Sequence, residues 1–266
     1  MMQDSNLLFD QNMQTPLEIN DSESNLVVFS KKCELSKNNQ DSIGVFSSGN
    51  NGVVIALADG AGGHKMGAEA SKLLIEELSA RSNKFEFSRQ SRLEIIEGIE
   101  KANFDMLDSL PGSASTLVVA EVSKDSARIY FAGDSIALVV GGRGKLKYRA
   151  YGHNPIDMGI QAGILEEDAY DELGLRHYVT NIVGSRQLHI ECSVPISLDP
   201  RDTILICSDG LYDNIKVEEI CEIISDKDIN TAAKSLLELA NQRMNSENSE
   251  FSKHDDLSFV LYQKSK

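Results

Sequence analysis

Between Leu117 and Val140 the chain passes through the Val- and Ile-rich segments Leu117–Val122, Ala127–Ala132 and Ile136–Val140, with only a few turn residues between them. Strands joined that tightly run antiparallel, because a parallel neighbour needs a crossover of a dozen or more residues. The same short β-branched signature, bounded by turn formers, predicts strands at Leu26–Phe29, Ile43–Phe46, Val53–Ala58, Leu188–Val194, Thr203–Cys207 and Leu257–Tyr262. Helical spacing predicts a helix over about Gly67–Ala80, with Ala70, Leu73, Leu74 and Leu78 on one face. A second is predicted over about Arg89–Leu107, with Leu93, Ile96, Ile99, Asn103, Met106 and Leu107 as its buried stripe. Two more are expected near Val217–Ile224 and Asn230–Arg243. Runs of strands alternating with helix pairs indicate a layered α+β domain rather than a doubly wound one.

No linker-like stretch or fixed-period repeat interrupts residues 25–266, which read as one domain. Residues 1–24, rich in Asn, Gln, Asp and Ser, read as a flexible polar leader. The length of 266 residues suffices for a sizeable core. A formal net charge of -15 argues against nucleic acid or an anionic membrane as partner. Cys33, Cys192, Cys207 and Cys221 form no C-x-x-C pair, so neither zinc-site spacing nor a disulfide framework is readable. No signal-like start is present, and the longest apolar run, Val53–Ala58, is far short of a membrane span. The expectation is a cytoplasmic protein and, without a coiled-coil pattern, a monomer.

The chemistry is suggested by an apolar strand that ends in aspartate beside glycine. It recurs as Val53-Val-Ile-Ala-Leu-Ala-Asp59-Gly60, as Ile129-Tyr-Phe-Ala-Gly133-Asp134-Ser135 and as Ile204-Leu-Ile-Cys-Ser-Asp209-Gly210, and Asp255-Asp256 stands just before the last strand. Any one such aspartate is more often a turn or helix cap than a functional group. Together, at the ends of buried strands, they imply a shared oxygen-rich pocket, since carboxylates there are costly unless compensated. Such a pocket selects hard cations, Mg2+ or Mn2+, because no His or Cys accompanies the aspartates. Two ions about 3.5–4 Å apart can activate a water and clamp a phosphoryl group. Composition alone does not separate a phosphatase from a nuclease or another metallohydrolase.

From about Asn25 to Tyr262 the chain resembles the metal-dependent protein phosphatases of type 2C, bacterial type. The matching stretches, in family order, are Asn39-Gln-Asp41-Ser-Ile-Gly44, Ala58-Asp-Gly-Ala-Gly-Gly63-His64, Gly67-Ala-Glu69-Ala-Ser71, Gly112-Ser-Ala-Ser-Thr116, Gly133-Asp-Ser135, Ser208-Asp-Gly-Leu211 and Asp255-Asp256-Leu257-Ser258. The resemblance implies a layered α-β-β-α sandwich, two antiparallel sheets face to face flanked by helix pairs, with metals at one end. It implies a protein serine/threonine phosphatase acting on phosphorylated proteins, a kinase target among them. By the same resemblance Asp59 bridges two Mn2+ or Mg2+ ions, and the Gly60 carbonyl holds one of them. Asp209 and Asp255 complete the first site, and Asp41 binds or orients water at the second. Asp134 with Asp209 frames a third, weaker site, and the segment from His153 to Ser185 corresponds to a variable flap.

The chain also departs from the pattern. Ser36 stands where the family usually has a phosphate-gripping arginine, leaving Lys37 or Arg186 to supply the charge and implying weaker substrate binding. Gln40 replaces a common Glu, and Ala61 replaces the acid histidine of eukaryotic-type members. His64 is open to a structural hydrogen bond or to proton transfer. A dinucleotide loop at Gly60–Gly67 fails because Lys65 occupies the third glycine's place. The rival from another class is a pseudophosphatase that binds partners without turnover; the retained aspartates oppose it.

Overall fold

The computed structural model describes residues 5–20, 24–48, 52–61, 66–166, 175, 178–246 and 253–264. The strands are β1 (Ser5–Phe9), β2 (Leu17–Asn20), β3 (Ser24–Lys31), β4 (Asp41–Ser48), β5 (Gly52–Asp59), β6 (Leu117–Val122) and β7 (Ser126–Ala132). They continue as β8 (Ile136–Val140), β9 (Leu146–Arg149), β10 (Glu191–Cys192), β11 (Ile196–Ser197), β12 (Thr203–Cys207) and β13 (Leu257–Lys264). The helices are α1 (Gly67–Ser79), α2 (Arg89–Ser109), α3 (Pro155–Gln161), α4 (Asp209–Tyr212), α5 (Val217–Asp226) and α6 (Ile229–Met244). One sheet has the order β1-β4-β5-β6-β7-β10, with β11 also on β7; the other runs β2-β3-β13-β12-β8-β9. Every pairing among the described residues is antiparallel.

Alternation along the strands builds the layers. In β3, Leu26 and Val28 face the other sheet, meeting Ile43, Ile55, Val118 and Ile129. Val27 and Phe29 point the opposite way, into the layer closed by Ile220, Leu236 and Ala240 of α5 and α6. In β5, Ile55 and Leu57 enter the space between sheets, whereas Val54 and Ala56 pack beneath Leu74, Leu78, Ile95 and Ile99 of α1 and α2. Strands buried on both faces read as continuous apolar runs. The result is the expected α-β-β-α sandwich. No helix among the described residues is long and apolar enough to cross a membrane.

Several expectations are corrected. The leader is not featureless: β1 pairs with β4 and β2 with β3, so residues within 1–24 form an edge of each sheet. Their polar composition hid short apolar faces, with Leu7 and Phe9 packing toward α1 and α2 and Leu8 and Ile19 between the sheets. The stripe of α2 is rotated to Ile95, Gly98, Ile99, Ala102 and Met106, leaving Leu93 and Leu107 exposed. Gly98 sits at the crossing, where a β-carbon would stand 3.2 Å from Leu78, so the small residue brings α2 against α1. The strand expected at Leu188–Val194 shrinks to β10, Glu191–Cys192, and a second short strand, β11, follows beyond it at Ile196–Ser197. Between them the Ser193 hydroxyl accepts from the Ile129 N–H at 3.0 Å, and Pro195 has no N–H to give the ladder.

Because β1 and β2 cover sheet edges, removal of residues 1–20 is expected to lower the melting temperature by at least about 5 °C in a domain of this size. A circular-dichroism melt unchanged by the truncation would return the segment to the status of a leader.

Candidate metal centre

Asp41 opens β4 and Asp59 closes β5, and the two are cross-strand partners, so the antiparallel register alone sets both carboxylates at one end of the first sheet. The chain leaves β5 through Gly60, whose N–H donates to the Gln40 carbonyl at 3.0 Å. A β-carbon at Gly60 would lie 2.2 Å from the Gly67 carbonyl oxygen, so only glycine lets the strand end abut the start of α1. The Asp59 carbonyl accepts from the Thr116 N–H and the Ser115 hydroxyl, both at 2.8 Å, which ties it to the start of β6.

Asp134 follows β7 at the same end. The Gly133 N–H donates to His153 Nδ1 at 3.0 Å, and His153 Nε2 lies 3.2 Å from Glu191 Oε1, which together select the Nε2-protonated tautomer. Burial lowers the His153 pKa from its ordinary value. Asp209 comes from the second sheet, where β12 gives way to α4, and Asp255 stands just before β13. At Gly210 a β-carbon would lie 2.0 Å from the Asp256 carbonyl oxygen, so these two segments are pressed together. The Ser208 hydroxyl joins the sheets by donating to Asp41 Oδ2 at 3.0 Å. Asp256 accepts from the N–H groups of Cys33 and Gln40, both at 2.6 Å, fixing the loop that leads to Asp41.

The electrostatics follow from this crowding. Burial, then the charges of Asp41, Asp209, Asp255 and Asp134, raises Asp59 well above the carboxylate range. Burial and the neighbours Asp256, Asp255 and Asp209 do the same to Asp41. Asp134 is pushed to about 8 by burial and Asp209, and Asp255 to about 6 by the same causes. Oδ1 of Asp41 and Oδ1 of Asp209 are buried without a hydrogen-bond donor. Carboxylates that repel one another and hold orphaned oxygens fit hard divalent cations, which relieve both costs. Among the described residues, no three His, Cys, Asp or Glu side chains stand ready-arranged around an ion. Lys253 is drawn in among them instead, its ammonium against Asp209, 3.1 Å from Asp255 and 3.3 Å from Asp213.

The structure thus gathers Asp41, Asp59, Gly60, Asp134, Asp209 and Asp255 at one end of the sandwich; His64 lies outside the described residues. Sequence reasoning missed Lys253, Asp213 and His153, and named Asp256 only as part of the acidic pair with Asp255. Lys253 carried a signal, as a cation two positions from Asp255; His153 carried none. At the start of the segment expected to form a flap, Asp157 of α3 is fully buried and bonds Arg149 Nη2 at 2.9 Å, the Gly152 N–H at 3.0 Å and the Tyr212 hydroxyl at 3.1 Å. α3 is thereby tied to the helix that carries Asp209. A small cavity of about 40 Å³ beside Asp255 is lined in part by Lys31, Lys32, Cys33, Glu34 and His254.

The family model described as protein phosphatase 2C matches residues 34–250. The chain is 29% identical over 205 residues to the serine/threonine phosphatase stp of Listeria welshimeri, covering 71% of this chain and 78% of that one. It is 26% identical over 215 residues to the protein phosphatase PhpP of Streptococcus pneumoniae, covering 77% and 86%. In fold it matches the serine/threonine phosphatase Stp1 of Staphylococcus aureus with a TM-score of 0.77 at 23% identity, over 97% of this chain and 100% of that one. A structure of the PstP catalytic domain in complex with two manganese ions matches with a TM-score of 0.72 at 19% identity, over 92% and 99%.

Each raised carboxyl binds its proton more tightly folded than unfolded. Between the ordinary value of 3.8 and the folded values of about 6 for Asp255 and about 8 for Asp134, the native state therefore holds more protons. The stability this contributes is complete below that window and lost as pH rises through it. Metal-stripped protein is expected to melt lower at about pH 8 than at about pH 5.5, with saturating Mn2+ flattening the slope. A flat metal-free profile would mean that the carboxylates do not press on one another.

Proposed function

The chain belongs to the protein phosphatase 2C family and is a protein serine/threonine phosphatase, and we propose that it hydrolyses phosphoserine and phosphothreonine esters of phosphorylated proteins at a pair of divalent cations held by Asp59, Asp209 and Asp255. The observation that carries this reading is the pair of orphaned buried oxygens, on Asp41 and Asp209, inside a cluster fed by both sheets. Bound Mn2+ or Mg2+ supplies Lewis acidity, activating a water and offsetting the charge on the phosphoryl group.

The protein's own residues do the positioning. Asp59 is anchored through its carbonyl, which leaves its carboxylate available to hold the cations, and the Gly60 carbonyl would serve as a further ligand. The Ser208 hydroxyl engages one oxygen of Asp41 and leaves the other to orient the attacking water. Asp134 with Asp209 frames a third, weaker cation site, and the turn that carries Asp134 is held by His153. His64, outside the described residues, is the sequence candidate for protonating the leaving group.

Ser36 leaves a gap in this scheme. The cation bonded to its segment is Lys32, whose ammonium donates to the Ser36 carbonyl at 3.1 Å and which lines the cavity beside Asp255. Lys37 and Arg186 are both exposed. An ammonium bonded to its own loop lacks the planar fork with which guanidinium grips a phosphate.

The deciding assay is phosphate release from a phosphothreonine peptide with Mn2+, with chelator, and in Asp209→Ala. Turnover should require the metal and fall by roughly a hundredfold or more in the variant. Metal bound without turnover would make the chain a binding module built on the same fold. Ser36→Arg should lower KM by about tenfold, the worth of a charge-assisted hydrogen bond; an unchanged KM would show that the arginine is not missed.

A further inference from the structure

We propose that Lys253 is a built-in counter-cation of the first metal site, one that occupies Asp209 and Asp255 in the metal-free protein and must be displaced before a divalent ion can bind there. This rests on the reading of that site as a metal centre. Three carboxylates converge on one ammonium: Asp209 in direct contact, Asp255 at 3.1 Å and Asp213 at 3.3 Å. The side chain is 17% exposed, so little water competes with these contacts.

The lysine is placed there by its backbone. Asn214, fully buried two residues past the end of α4, accepts from the Lys253 N–H at 3.1 Å and donates its amide to the Lys253 carbonyl at 3.0 Å. The same amide donates to the Gly210 carbonyl at 2.8 Å, so one side chain clamps Lys253 to the segment that bears Asp209. With the main chain fixed, exchange requires only rotation of a flexible four-carbon stem. Ammonium suits the role, being a compact point charge with no preferred plane. Lys253 therefore neutralises the cluster enough for the empty site to stay folded, and it competes with the cation for two of the proposed ligands. The consequence is a metal affinity held below what the carboxylates alone would give.

The test is calorimetric titration of Mn2+ into metal-stripped wild type, Lys253→Met and Asp59→Asn, joined to acylation of Lys253 in wild type followed by mass spectrometry. Lys253→Met should bind its first Mn2+ about tenfold tighter or more, and its metal-free melting temperature should fall. In wild type, Mn2+ should raise the acylation rate of Lys253, because the amine leaves its carboxylates. Equal Mn2+ affinity in wild type and Lys253→Met, with binding lost in Asp59→Asn, would overturn the proposal and leave the metal centre intact. Tighter binding with an unchanged acylation rate would also overturn it, since a distant charge effect frees no amine. No Mn2+ binding to folded wild type would sink the metal reading itself and this proposal with it. Should Lys253→Met fail to fold, acylation of the wild type decides alone.

Discussion

Carboxylates from both sheets are pressed together at one end of the sandwich, and the apolar layers on either side hold them there against their repulsion. The register of β4 on β5 makes Asp41 and Asp59 neighbours, and that register is fixed by Ile43 and Leu57 facing the inter-sheet core. A slip of one residue would turn every side chain of β4 to the wrong face. On the second sheet, pairing of β12 with β13 sets the start of α4 beside Asp256. The hydrophobic core thus acts as the jig for the site: the buried pairs β4–β5, β6–β7 and β12–β13 deliver their acidic termini to the same place.

That logic explains which parts were legible in the sequence. β6, β8 and β12 have the bounds expected from their apolar runs, because strands buried on both faces leave little ambiguity. Asp59, Asp134 and Asp209 were legible because each follows such a run beside glycine, whereas Asp41 and the role of Asp255 were reached through the family resemblance. β1 and β2 were not, since edge strands bury only part of a face and their polar neighbours dominate the composition. The stripe of α2 was misread because Gly98, which contributes no hydrophobicity, marks the contact with α1, whereas Leu93 and Leu107 are exposed. Lys253 and Asp213 belong to the site only through Asn214 and the turn of α4, contacts that no periodicity announces.

The N-terminal strands bear on the site as well as on the fold. Asp10, just past β1, accepts from the Asn39 N–H at 2.9 Å, and the Asn39 amide donates to the Gln11 carbonyl at 2.8 Å. The Asn39 side-chain oxygen then accepts from the Asp41 N–H at 2.9 Å. A segment that composition marks as dispensable is therefore two hydrogen bonds away from a proposed water-orienting carboxylate. Together with Asp256, which holds the Cys33 and Gln40 N–H groups, it restrains the loop on both sides of Ser36.

Stability and catalysis are consequently coupled through the same charges. A ligand that binds only the folded state stabilises it by about 2.7 kcal/mol at a hundred times its dissociation constant. That is a large share of the roughly 5–15 kcal/mol that keeps an ordinary domain folded. A site made purely of mutually repelling carboxylates would thus leave the protein dependent on metal for folding as well as for reaction. Lys253 loosens that dependence by supplying a covalently tethered positive charge, at the cost of competing for Asp209 and Asp255. The lysine's position between those carboxylates, with its backbone locked to Asn214, is what allows the same acidic cluster to survive empty and to work when filled.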